Sequence, residues 1–116
     1  MELVALLSTG KGSWNEVSRL IGAEDWEKIV LVGNEFAKKF TSNKKFDFIE
    51  VNLDAPVDEL KKQIFEKIKS KLSGLEVSLS IASGNGIEHM VLISALLQIP
   101  VGVNFVLATE EGYIQL

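Results

Sequence analysis

The chain has no cysteine, a single histidine (His89) and a single arginine (Arg19). Without cysteine it can form neither a disulfide nor a thiolate metal site, and it has no cysteine nucleophile. With one histidine, a His-based metal cage is not expected either. The net charge is −4, whereas affinity for duplex nucleic acid comes mainly from Lys and Arg neutralising phosphates. We therefore expect no metal and no duplex nucleic acid partner.

Long hydrophobic runs are also missing from the sequence. No stretch of 18 apolar residues exists, so we expect no membrane-spanning segment. The first apolar run, residues 3–7, is too short for a signal peptide and lacks a preceding basic segment, which favours a cytoplasmic protein. The 116 residues, 47% hydrophobic and 24% charged, suit one globular domain over residues 1–116.

Strand and helix patterns alternate along the chain. Short apolar or β-rich runs predict strands at residues 3–7, 28–32, 46–51, 77–82, 101–107 and 113–116. Helical spacing of apolar residues predicts helices at about 14–21, at 57–72 and at 87–97. A further helix is predicted after Asn34, which can cap it. Ser13 and Glu16 have the spacing of a capping box, and the polar residues within 46–51 favour an edge strand.

This alternation predicts an α/β fold of the Rossmann-like kind. Strands that alternate with helices form a mostly parallel sheet with helices on both faces. Right-handed crossovers leave few topologies, of which the commonest has six strands in the order 3-2-1-4-5-6. The short turn before the final strand makes that strand antiparallel to its neighbour.

In such sheets ligands bind at the carboxyl ends of the strands where the strand order reverses, here between strands 1 and 4. Both loops at that point lead into helix N-termini, which attract anions, and their glycines let a phosphate approach the backbone. The sequence therefore predicts a ligand site at Ser8, Thr9, Gly10, Lys11, Gly12, Ser83, Gly84, Asn85, Gly86 and His89. The alternative is that these residues only make tight turns.

Known nucleotide motifs are incomplete in these loops. The Gly10-x-Gly12 pair lacks the third glycine of the dinucleotide fingerprint, and no Lys-Ser/Thr pair completes a P-loop. We therefore expect no flavin, nicotinamide or other cofactor. His89 would suit a catalytic base by its pKa range, but a surface or dimer-interface histidine is the alternative.

Residues 77–90, VSLSIASGNGIEHM, resemble the signature segment of CARF (CRISPR-associated Rossmann fold) domains. Those domains have a strand, a Thr/Ser-Gly-Gly-Thr-Lys-like loop and a helix with an early Met. The loop that starts Ser8-Thr9-Gly10 is similar to their other ligand loop. In this chain Asn85 replaces the second loop glycine and no lysine follows it, so Lys11 would take the place of the loop lysine.

The resemblance implies an antiviral defence protein, a homodimer whose two-fold cleft holds a cyclic oligoadenylate with its phosphates on the two loops. The chain would then be a binding module or a metal-independent ring nuclease. In the nuclease, Ser8 or Thr9 would orient the attacking 2′-hydroxyl and Lys11 would neutralise phosphate. The alternative is a non-catalytic interaction protein that dimerises through its apolar last helix, from Met90 on, and its closing hairpin.

Overall fold

Strands and helices alternate along the chain in the computed structural model, which describes residues 1–8 and 14–116. Within these residues the strands are β1 (Glu2–Leu7), β2 (Lys28–Gly33), β3 (Asp47–Glu50), β4 (Glu76–Ser80), β5 (Gly102–Thr109) and β6 (Gly112–Gln115). The α-helices are α1 (Trp14–Ala23), α2 (Val57–Ile68) and α3 (Gly86–Leu97). A 3-10 helix (Glu35–Lys39) follows β2.

The strands form one sheet in the order β3-β2-β1-β4-β5-β6, as predicted. All neighbouring strands are parallel except β5 and β6, which pair antiparallel with Leu107 opposite Ile114. Strand β1 lies at the centre, where Ala5 pairs with Leu31 of β2 and Ser80 of β4. The prediction that the third strand is an edge strand is also confirmed.

Each face of the sheet has its own core. Successive residues of a strand point to opposite faces, so Leu3 and Ala5 contribute to one core while Val4 and Leu6 contribute to the other. Helix α1 and the 3-10 helix cover the first face, and helices α2 and α3 cover the second. Helices on both faces are therefore confirmed.

The segment after β2 differs from an ordinary α-helix. Asn34 caps it as predicted, with its side chain accepting from the Ala37 N–H, but the turns are 3-10. A 3-10 helix aligns residues three apart on one face. Ala37 and Phe40 have this spacing, and both are buried in the α1-side core.

The start of α1 is only partly described, because Ser13 of the predicted capping box lies outside the described residues. Glu16, the other half of that prediction, has a different bond in the structure. Its carboxylate accepts the backbone N–H of Ala108 in β5 at 2.6 Å. This bond holds α1 against β5, two strands away from β1.

Helix α3 is apolar on almost every side, and only part of it is buried in the chain. Val91, Leu92 and Leu96 are in the core, whereas Met90 is 66% exposed and Leu97 is 70% exposed. No helix among residues 1–8 and 14–116 is long and apolar enough to cross a membrane.

Candidate functional site

The ends of β1 and β4 meet at the reversal of strand order. The backbone N–H of Ser8 donates to Ser83 Oγ at 2.8 Å. Ser8 and Ser83 are 6% and 1% exposed, so this bond is buried and fixes the end of β1 against the turn after β4. The structure thus brings together these two predicted site residues. Thr9, Gly10, Lys11 and Gly12 lie outside the described residues.

Two further bonds hold this junction. The indole Nε1–H of Trp14 donates to the Ser8 carbonyl at 2.8 Å. His89 Nε2 lies 2.8 Å from the Ser83 carbonyl. Because a carbonyl can only accept, His89 Nε2 must carry a proton and donate it. Half-buried His89 therefore anchors the turn after β4.

Gly84 makes the turn that leads from β4 towards α3. Its φ of +96° is in the region that side chains rarely adopt. A Cβ at this position would also lie 2.6 Å from Leu6 Cδ2 and 2.8 Å from Glu88 Oε1. Substituting Gly84 would strain the fold, so the need for glycine here is structural whether or not a ligand binds.

The first turn of α3 carries a capping box that the sequence analysis missed. Asn85 Oδ1 accepts the Glu88 N–H at 2.9 Å, and Glu88 Oε1 accepts the Asn85 N–H at 3.1 Å. The spacing Asn-x-x-Glu is the sequence signal for this motif, and it could have been found. The Glu88 carboxylate consequently lies at the positive end of the helix dipole.

Two backbone donors remain at the start of α3. The N–H groups of Gly86 and Ile87 have no hydrogen-bond partner among the described residues. Around Gly86 there is open space, because a Cβ built there would meet no atom within 4 Å. An anion at this edge would find two N–H donors, while Glu88 would repel it.

The described part of the site offers donors for binding and little for catalysis. Ser8 and Ser83 are buried, and one ring nitrogen of His89 is bonded to a carbonyl. Among residues 1–8 and 14–116, no group of three or more His, Asp or Glu side chains could hold a metal ion. Comparisons of the chain with protein-family models, curated proteins and solved structures gave no match.

Proposed function

We propose that the chain binds a small anionic nucleotide, of the cyclic oligoadenylate type, at the edge formed by Ser8 and residues 83–86. The observation that carries the proposal is the buried bond from Ser8 N–H to Ser83 Oγ. It joins Ser8, at the end of β1, to the turn after β4 at the reversal of strand order, which is where α/β sheets bind ligands.

Phosphate suits this edge because its donors are backbone N–H groups. Gly86 and Ile87 present theirs at a helix N-terminus, where the dipole stabilises an anion by about 0.3–1 kcal/mol. The open space at Gly86 lets a phosphate approach the backbone closely. Lys11, in the neighbouring loop of the sequence, would supply the balancing positive charge.

Binding is the core of the proposal, and slow metal-independent cleavage is its extension. In cleavage, Ser8 or Thr9 would orient the attacking 2′-hydroxyl and Lys11 would neutralise the phosphate. The buried position of Ser8 favours binding as the main activity.

Titration with cyclic tetra-adenylate and cyclic hexa-adenylate, followed by calorimetry, tests the proposal. Gly86→Val fills the open space without a forbidden φ and should lower affinity about tenfold or more, the equivalent of one to two lost hydrogen bonds. Gly22→Val is the matched control, because a Cβ at Gly22 also meets no atom within 4 Å. It should bind as the wild type does.

Two results would count against the proposal. Absence of saturable binding of either ring by the wild-type chain would overturn it. Equal affinity of the Gly86→Val and Gly22→Val variants would show that the ligand does not bind at Gly86. Chromatography of the incubated rings distinguishes retention from cleavage.

A second candidate function, self-association, is favoured by an exposed apolar surface. Leu107, Ile114 and Leu116 are 40%, 48% and 70% exposed. Leu107 points to the same sheet face as Phe105, which packs against the α3-side core. Ile114 is paired with Leu107 and shares that face. We propose that two copies bury this surface, together with the exposed side of α3, in a homodimer.

Neighbouring residues of β6 provide a matched test of the dimer. Ile114 and Gln115 are both exposed but point to opposite faces of the sheet. Sedimentation equilibrium at micromolar concentration should show a dimer for the wild type and for Gln115→Lys. Ile114→Lys should be monomeric because it buries a charge in the interface. A monomeric wild type would contradict this prediction.

A further inference from the structure

A polar cavity of about 500 Å³ opens at the carboxyl ends of β2 and β3. Asn34 follows β2, Asn52 follows β3, and Gln63 reaches the cavity from α2. We call it the amide cavity after these three side chains. Buried Val51 also lines it.

The amide cavity adjoins the candidate site. Phe36 lines the cavity, and its ring centroid lies 5.7 Å from that of Trp14. Trp14 in turn donates its indole N–H to Ser8. A ligand that spans both places would therefore follow one edge of the sheet, from the end of β4 past β1 to the ends of β2 and β3.

Contacts with the backbone fix the orientation of all three amides. Asn34 Oδ1 accepts the Ala37 N–H at 3.2 Å, Gln63 Oε1 accepts the Asn52 N–H at 3.2 Å, and Asn52 Oδ1 accepts the Asp54 N–H at 3.0 Å. A backbone N–H only donates, so the oxygen of each amide must face it. The three NH₂ groups are left as donors without partners among the described residues.

The charges around the cavity disfavour a phosphate. Lys67 Nζ donates to the Glu50 carbonyl at 2.7 Å, and Lys38 pairs with the Glu50 carboxylate at 2.6 Å. Both cations are therefore engaged, and the nearby Glu35 carboxylate adds to the negative charge around Lys38. The Asp54 carboxylate, which also lines the cavity, has no hydrogen bond or ion pair among the described residues. Amide donors combined with carboxylate acceptors suit a neutral group that carries hydroxyls and ring acceptors.

We infer that the amide cavity binds the uncharged nucleoside part of a nucleotide. The amide NH₂ groups would donate to ring nitrogens or carbonyl oxygens of the base. The carboxylates would accept from ribose hydroxyls, and Phe36 and Val51 would contact the apolar surface of the base. The inference rests on the proposed function for the identity of the ligand, with the phosphate on residues 83–86 and the nucleoside beside it.

Adenosine is the probe, because it lacks phosphate and so reports on the cavity independently of the loops. Titration of ¹⁵N-labelled wild-type chain should shift the side-chain NH₂ signals of Asn34, Asn52 and Gln63 and reach saturation. Gln63→Glu keeps an oxygen for the Asn52 N–H but replaces the NH₂ donor with a second oxygen. It should weaken adenosine binding about tenfold, the equivalent of a lost hydrogen bond. Asn34→Asp, which also preserves the helix cap, should act in the same direction.

Gln115→Glu is the matched control, since it makes the same chemical change on an exposed strand residue and should leave adenosine affinity unchanged. Gly86→Val should also bind adenosine normally, so failure at the loops is distinguished from failure at the cavity. Absence of saturation by about 10 mM adenosine, a level that even a weak fragment should reach, would overturn the inference. Affinity unaffected by both cavity variants, or ribose binding as tightly as adenosine, would overturn it as well.

Discussion

Two Ser-Gly turns flank β4, one before its amino end and one after its carboxyl end, and they have opposite roles. Before β4, Ser73 and Gly74 donate their N–H groups to the carboxylate of Glu2, at 3.1 and 3.0 Å. After β4, Ser83 is an acceptor, and its Oγ receives the N–H of Ser8 at 2.8 Å. The first turn is thus supplied with an anion by the chain itself. The second leads to a helix start where Gly86 and Ile87 still have donors to offer.

Glu2 shows how strongly such a turn holds a carboxylate. Glu2 is only 4% exposed, and its carboxylate also accepts a hydrogen bond from the Ser73 hydroxyl at 2.9 Å. Burial raises the pKa of the Glu2 carboxyl, but the hydrogen bonds from Gly74 and Ser73 and the charge of Lys28 outweigh it. The pKa therefore lies below its ordinary value of 4.5.

The largest expected effect in this comparison comes from Glu2→Gln. At pH 7 it should lower the free energy of unfolding by about 1.5–3 kcal/mol, because it replaces a charged acceptor with an amide whose NH₂ faces other donors. Since the folded-state pKa of Glu2 is depressed, its stabilisation is present above the unfolded-state pKa and is lost as the pH falls through the folded-state value. The difference between wild type and variant should therefore shrink below about pH 4.5.

Urea unfolding followed by circular dichroism at several pH values between neutral and strongly acid measures this difference. Glu59→Gln is the control, because Glu59 is exposed in the first turn of α2 and its carboxylate has no hydrogen bond or ion pair within residues 1–8 and 14–116. It should lower stability by no more than about 0.3–1 kcal/mol, the loss of one carboxylate from a helix N-terminus. If the difference in free energy of unfolding between wild type and Glu2→Gln stayed constant down to strongly acid pH, the ionised carboxylate would not be what stabilises the turn before β4.

Much of the fold could be predicted because alternating patterns and right-handed crossovers restrict the topology. The polar residues of the third strand correctly placed it at the edge. The sequence did not indicate that the helix after β2 is a 3-10 helix. Its apolar residues Ala37 and Phe40 are three apart, and the segment is too short for this spacing to distinguish a 3-10 helix from an α-helix. Asn34, by contrast, was recognised as its cap.

The site was harder to predict, because its chemistry depends on contacts between distant residues. An acid at the start of a strand gives no sign that it will be buried, so the bonds from Ser73 and Gly74 to Glu2 had no signal in the sequence. The three amides of the amide cavity are likewise 11 to 29 positions apart in pairs that only the fold brings together. The Asn85–Glu88 capping box has a recognisable Asn-x-x-Glu spacing in the sequence, but Asn85 was interpreted only as part of the ligand loop.

Glu88 is where the two turns can be compared at the level of ligand binding, with a smaller expected effect. In the turn before β4, Glu2 is the bound anion. After β4, the Glu88 carboxylate competes with any anion for the start of α3. Glu88→Gln retains the capping box, since Gln also serves at that position. Removing the charge should raise affinity for cyclic tetra- or hexa-adenylate about fivefold, or about 1 kcal/mol, as expected for a like charge near a partly exposed site.

Calorimetric titration of the Glu88→Gln variant beside Glu59→Gln measures this effect, because both substitutions remove one negative charge from the chain. Only the Glu88 variant should bind more tightly if the phosphate lies at the start of α3. Its free energy of unfolding should fall by no more than about 0.3–1 kcal/mol, the loss of one carboxylate from a helix N-terminus. Equal affinities for the two variants would mean that no ligand phosphate lies at the start of α3. The turn after β4 would then bind no external anion, like the turn before β4, whose donors already bind Glu2.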